Sequence, residues 1–130
     1  TRYAEQVAER SSFQNDITSQ GNPKQLSPHQ MRQLFYIFRE ALSNIEKYAN
    51  PSRVSGEFTW EENGLTLLIS DNGCGFDPNR IQPGDHYGLK FMRERAELLN
   101  GSFSIQSAAG KGTKITVIVP YEEGSFTKSQ

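Results

Sequence analysis

No apolar run in the 130 residues approaches the roughly 20 needed to cross a bilayer, which excludes a transmembrane helix. The single cysteine, Cys74, cannot form an internal disulfide. The chain opens Thr1-Arg2-Tyr3-Ala4-Glu5, with neither an initiator methionine nor the apolar core of a secretory signal. These absences lead us to expect a reduced, cytoplasmic setting and a piece cut from a longer protein. A basic block is also missing, because 14 Lys and Arg stand against 15 Asp and Glu for a formal net charge of −1. Neutralising several phosphates needs clustered cations, so nucleic acid is not an expected partner. What is present is a globular composition. Leu, Ile, Val and Phe number 29, above the fifth of the chain below which disorder is expected. One domain over residues 1–130 is therefore expected, large enough to bury a core.

The pattern along the chain predicts a helix over residues 3–10, a weakly alternating strand over Ser11–Thr18 anchored by Phe13 and Ile17, and a turn over Ser19–Lys24. Ser27 ahead of Pro28 reads as an N-cap with proline in the first turn, so a long helix is expected from there to about Ala49, before Asn50-Pro51. At about 100° per residue, Leu34, Phe38, Ala41, Leu42, Ile45 and Ala49 share one stripe, while Glu40, Asn44, Lys47 and Tyr48 gather on an adjoining arc. Arg53–Trp60 and Leu65–Ser70 read as strands joined through Asn63-Gly64, a strong hairpin signal. A second helix is expected from Gly88 to about Asn100, with Leu89, Met92, Ala96 and Leu99 on one face and Gly101 as a left-handed C-cap. Strands Phe103–Ser107 and Lys114–Tyr121 follow, and Glu122–Gln130 reads as a frayed polar tail. Residues 1–25 thus carry an N-terminal helix and strand, 26–120 the core and 121–130 a tail. The composite is α+β: a two-layer α/β sandwich whose mixed, mostly antiparallel sheet is covered on one face by helices.

Seven of the eleven glycines lie between Gly73 and Gly112, at strand ends and a helix start. Glycine there lets backbone amides approach a ligand closely. Asp71-Asn72-Gly73-Cys74-Gly75-Phe76 directly follows an apolar strand. Gly88-Leu89 opens a helix whose first amides favour an anion. Gly110-Lys111-Gly112-Thr113 is the third such segment. Each alone is most often an ordinary turn, and a polar helix arc is usually a solvated face. Their order and spacing change that reading.

The segments Glu40–Ala49, Asp71–Phe76, Gly88–Ala96 and Gly110–Thr113 together resemble the catalytic ATP-binding domain of bacterial sensor histidine kinases. The likeness is strongest to the nitrate-sensor-like subfamily, whose second glycine box runs into Met92-Arg93-Glu94-Arg95, and it covers about residues 26–120. The parent superfamily also contains DNA gyrase and related chaperones. The resemblance implies a Bergerat-type fold, ATP and Mg²⁺ as cofactors, and a set of roles. Asn44 matches the family's Mg²⁺-binding asparagine, in keeping with the preference of that ion for oxygen ligands. Glu40 matches the catalytic position that acts as general base in related ATPases, and Lys47 can reach a phosphate as a point charge. Asp71 matches the acceptor for the adenine amino group, an ionised carboxylate being acceptor-only. Gly73 and Gly75 keep the adenine floor open, Gly112 belongs to the last glycine box, and Thr113 helps hold the base through its hydroxyl. Tyr48 either packs on the nucleotide or closes the edge of the core. Gly88 and Leu89 start the helix beneath the phosphates, and Pro78–Tyr87 forms a short lid with Gly84 as its hinge.

Three positions depart from the subfamily pattern: Phe91 where a small residue is usual, Asp85 where glycine is, and Tyr48 where histidine is common. Neither histidine sits in an acceptor motif: His29 lies at a helix start and His86 in the expected lid. The phosphoacceptor is thus expected on a dimerisation domain outside this chain, with a response regulator as the next partner, and the fragment alone is expected to be monomeric and inactive. The domain itself is not expected to touch a membrane, although the parent protein could be anchored in one. A serine kinase of the anti-sigma type and a non-catalytic nucleotide-sensing module are the alternatives. Cys74 reads as a small packing side chain without redox function.

Overall fold

A computed structural model describes residues 14–46, 53–74, 86–108 and 110–122, excepting the side chains of residues 14, 15, 86 and 87. Among these residues the order is β1 (Gln14–Gly21), α1 (Pro28–Asn44), β2 (Arg53–Trp60), β3 (Gly64–Asp71), α2 (His86–Leu98), β4 (Ser102–Ser107) and β5 (Thr113–Pro120). The strands form one sheet in the order β1-β2-β3-β5-β4. β1 pairs with β2 in parallel, and the other three pairings are antiparallel. A parallel pair needs a long crossover, which the segment containing α1 supplies. The fold is the expected α+β arrangement. The expected helix over residues 3–10 and the tail beyond residue 122 lie outside the described residues.

Alternation decides which face of the sheet is covered. Leu65, Leu67 and Ile69 of β3 and Ile115, Val117 and Val119 of β5 are all buried, at odd positions of both strands. Successive side chains in a strand point to opposite faces, so these six stand on one face, under the helices. Ser27 starts α1: its Oγ accepts from the Gln30 N–H (3.1 Å), and its own N–H donates to Gln30 Oε1 (3.1 Å), a reciprocal capping box. The Gln30 side chain is fully buried, and its Nε2 donates to the carbonyl of Pro120 (3.0 Å), tying the start of α1 to the end of β5.

The polar arc of α1 is not a solvated face. Gln30, Gln33 and Ile37 are buried on the same arc as Glu40 and Asn44, because α2 packs there. The Arg95 guanidinium of α2 stacks over the rings of Phe91 (4.6 Å) and Tyr36 (5.8 Å) and reaches Gln33 Oε1 (3.5 Å). α2 ends in a Schellman arrangement: Gly101 N–H donates to the Ala96 carbonyl (2.9 Å) and Asn100 N–H to that of Glu97 (3.0 Å). The left-handed residue is Asn100 (φ 58°), not Gly101 as expected. Asparagine tolerates that conformation, while Gly101 is small because a Cβ there would meet the Ile118 carbonyl.

Ile37 has no exposed surface, so Ile37→Ala should cost about 2–5 kcal/mol through lost burial and the cavity left behind. Met31→Ala on the same helix, at a side chain 59% exposed, should change stability by less than about 0.5 kcal/mol. Urea unfolding midpoints at unchanged slope measure both.

Candidate functional site

Two clusters of the expected residues form. In the first, α2 leans its opening turn on the last turns of α1. A Cβ on Gly88 would lie 2.8 Å from Asn44 Nδ2, 3.1 Å from Glu40 Oε2 and 3.4 Å from Asn44 Oδ1. Glycine is what lets the helix come this close. The described part of α2 already includes His86 and Tyr87, ahead of the expected start at Gly88. Glycine is a poor helix former and so marks a boundary in a sequence, yet here it lies inside the helix, because close approach outweighs propensity. Gly88 and Leu89 both lie in the first described turn of α2. His86 and Tyr87 therefore belong to the helix backbone and not to the lid, whose remaining residues 78–85 lie outside the described ones.

The second cluster sits where β3 ends and β5 begins. Asp71 and Thr113 are paired across the two strands. The Gly73 N–H donates to Asp71 Oδ1 (2.7 Å), while Asp71 Oδ2 is buried with no hydrogen-bond partner among the described residues. Burial pushes this carboxyl above the usual carboxylate range, and the Gly73 hydrogen bond opposes the shift in part. Gly112 is left-handed (φ 76°), and a Cβ there would run into the Asp71 carbonyl. Gly110 N–H donates to the Cys74 carbonyl (2.5 Å), which brings the first and third glycine segments together. Cys74 itself is exposed, against the expectation of a packed side chain, because its backbone makes the contact. Thr113 is 8% exposed, and its Oγ1 lies 2.8 Å from Ser107 Oγ.

Ser107 was not anticipated. Counting outward from the five-residue loop 108–112 would have placed it opposite Thr113, since tight connections pair the residues that flank them.

Both clusters lie at the same end of the sheet. α1 starts beside Pro120, and its Phe38 ring lies 6.3 Å from that of Phe58, the partner of Leu67 in mid-sheet. Phe38 also faces Gly56, the partner of Ile69 and two residues nearer Asp71. α1 therefore runs along the strands. Its 17 residues cover about 25 Å at 1.5 Å each, close to the length of an eight-residue strand. Asn44 thus arrives near the strand ends that carry Asp71 and Thr113. A cavity of about 340 Å³ opens at this end and includes Asp71, Thr113 and Ser107 in its lining. Ser70 and Lys114 line it too, and alternation sets them on the far face, so the cavity wraps around the strand ends. Lys47, Tyr48 and Gly75 lie outside the described residues.

The arrangement of a helix terminus, a half-buried carboxylate and glycine-edged strands has clear relatives. The family model described as histidine kinase-, DNA gyrase B- and HSP90-like ATPase matches residues 29–123, and the chain belongs to that family. It is 34% identical over 127 residues, 97% of its length, to the nitrate/nitrite sensor protein NarX of Escherichia coli (strain K12), and 39% identical over 87 residues, 67% of its length, to the sensor histidine kinase LiaS of Bacillus subtilis (strain 168). It spans only 21% and 24% of those two proteins. Among solved structures, it superposes on a mycobacterial sensor histidine kinase, MprB, with a TM-score of 0.73 at 22% identity, covering 93% of this chain and 91% of that one. The blue-light activated histidine kinase of Erythrobacter litoralis EL346 gives 0.78 at 16% identity, with 99% and 42% covered. Among the described residues, no helix is long and apolar enough to cross a membrane.

The residues present suit an adenine nucleotide with Mg²⁺. The orphaned Asp71 oxygen is an acceptor awaiting a donor, and the oxygens of Glu40 and Asn44 are the hard ligands such an ion prefers. The burial of Asp71 also has a sign in stability. Its folded pKa is raised, so the ionised form costs stability above that value, and the cost disappears as pH falls through it. Asp71→Asn should therefore raise the thermal midpoint of the ligand-free domain at pH 7, and the gain should shrink on acidification toward pH ~4. Melting curves across that range check it.

Proposed function

We propose that this chain is the ATP-binding catalytic domain of a two-component sensor histidine kinase. It holds ATP–Mg²⁺ and presents the γ-phosphate to a histidine on a dimerisation domain elsewhere in the parent protein, for relay to a response regulator. The observation that carries this reading is the buried Asp71 oxygen without a donor, at the sheet end reached by the Asn44–Glu40–Gly88 cluster. Relatives that are sensor kinases favour histidine over serine as acceptor. Phe91, which together with Asp85 supports the non-catalytic alternative, packs partly against the core beneath Arg95 and is accounted for there, while Asp85 lies outside the described residues.

In this reading Asp71 accepts from the exocyclic amino group of adenine, which relieves its orphaned oxygen. Gly73, Gly75 and Gly112 keep side chains out of the space the base enters. Gly88 and Leu89 offer backbone amides at the start of α2 to the phosphate chain, and Lys47 adds a point charge. Asn44 binds the metal, with Glu40 beside it to orient a water or the ion. Bound Mg²⁺ would supply charge neutralisation across the phosphates. Transfer then makes a bond from a histidine nitrogen to the γ-phosphorus and breaks that phosphorus from its bridging oxygen, with ADP leaving. The transition state is loose, so the domain contributes chiefly alignment.

Calorimetry with ATP and ADP, with and without Mg²⁺, tests the assignment. Asp71→Ala should weaken both nucleotides about ten-fold or more, the equivalent of a charged hydrogen bond. Asn44→Ala should abolish the gain that Mg²⁺ gives to ATP binding while leaving Mg²⁺-free ADP nearly unchanged. Wild-type affinity in Asp71→Ala refutes the adenine contact, and metal-independent ATP binding by the wild type refutes the Asn44 role.

A further inference from the structure

Ser107, Thr113 and Asp71 stand abreast across β4, β5 and β3, since Thr113 is the cross-strand partner of both of the others. Each occupies an odd position, as do the buried residues of these strands, so all three belong to the helix-covered face. Ser107 Oγ makes two contacts in this row: it donates to the Gly112 carbonyl (3.0 Å) and lies 2.8 Å from Thr113 Oγ1. A hydroxyl carries one proton and two lone pairs, and a carbonyl oxygen can only accept. The Ser107 proton is therefore committed to Gly112. The short contact between the hydroxyls is then a hydrogen bond only if Thr113 is its donor. With that proton turned toward Ser107, Thr113 keeps only lone pairs for whatever lies in front of it. Beside it stands the orphaned acceptor oxygen of Asp71.

We infer that Ser107 is a positioning residue for base selection: by fixing the Thr113 proton, it makes the floor of the site a row of acceptors that takes a purine bearing an amino group and rejects one bearing a carbonyl at the same place. This rests on the reading that Asp71 receives the base. Adenine presents the two N–H bonds of its 6-amino group, enough for a carboxylate and a hydroxyl, directly or through water. Guanine presents O6 there, which would meet lone pairs on both partners. Ser107 touches no part of the base. Without its hydroxyl, Thr113 could rotate and donate to O6, removing part of the discrimination.

The test measures ATP and GTP affinities of the whole chain for wild type, Ser107→Ala, Ser107→Thr and Asp71→Ala. Ser107→Ala should narrow the ATP-over-GTP preference about three- to ten-fold, mainly by tighter GTP binding, because one neutral hydrogen bond changes sign. Ser107→Thr keeps the hydroxyl on a residue suited to a strand and should restore the wild-type ratio. A general loss of stability would weaken both nucleotides alike and leave the ratio unchanged. Should Ser107→Ala not fold, Ser107→Cys keeps the volume with a weaker donor and should narrow the preference in the same direction. An unchanged ratio in the folded Ser107 variant, alongside lost affinity in Asp71→Ala, overturns the role of Ser107 and leaves the base contact standing. Unchanged ATP affinity in Asp71→Ala overturns both.

Discussion

Asp71 is held in a position that its own electrostatics disfavour, and the register of β3 holds it there. A carboxylate oxygen buried without a donor costs more than the 1–3 kcal/mol of a neutral unsatisfied group, so a free strand end would turn it to water. Turning it out would require a shift of one residue or a local twist in β3. Leu65, Leu67 and Ile69 share its face and are each about 1% exposed, so a register slip would trade three buried apolar side chains for one solvated carboxylate. The hydrophobic term is the larger. The sheet thus supplies a preorganised acceptor because its core cannot afford to move.

The seam between α1 and α2 works on the opposite principle. Along one arc of α1 the contacts change from packed to open: Gln30, Gln33 and Ile37 are buried, Arg95 fills the middle between Tyr36 and Phe91, and at the far end Gly88 leaves only backbone against Asn44 and Glu40. The bulky stack fixes how α2 lies on α1. The missing side chain then leaves the polar groups of α1 directly against the backbone of α2. Phe91, an oddity against the subfamily pattern, becomes intelligible as the ring beneath the Arg95 guanidinium.

Much of this was legible in the sequence where the rule was local. Ser27-Pro28 marked the start of α1, Asn63-Gly64 the hairpin, and alternation fixed β2, β3 and β5 to within a residue. What failed depended on partners distant in the chain. Ile37 falls among the polar residues of α1 by angle, and only the docking of α2 makes that arc a second buried face. Gly88 looked like a boundary because propensity is read locally, whereas its reason is the approach of Asn44. At the end of α2, Gly101 drew the left-handed assignment by frequency, although a neighbouring carbonyl explains its small size and Asn100 takes the turn. Ser107 was missed because a serine closing a polar strand carries no signal until the pairing of β4 with β5 is drawn.

The two clusters are also built differently, which bears on the division of recognition and transfer proposed for them. Asp71, Thr113 and Ser107 sit on paired strands within a single ladder, and their relative positions are set by backbone hydrogen bonds. Groups so placed suit a task that depends on the direction of a proton, such as telling one base edge from another. Asn44, Glu40 and Gly88 are carried by two helix ends, whose separation depends on side-chain packing alone. If this cluster holds a phosphate chain and an ion as proposed, such adjustment is tolerable, since charge attraction falls off slowly with distance and needs no single orientation. A change in the helix seam should therefore alter how the phosphates are held before it alters which base is accepted, and a change in the ladder the reverse.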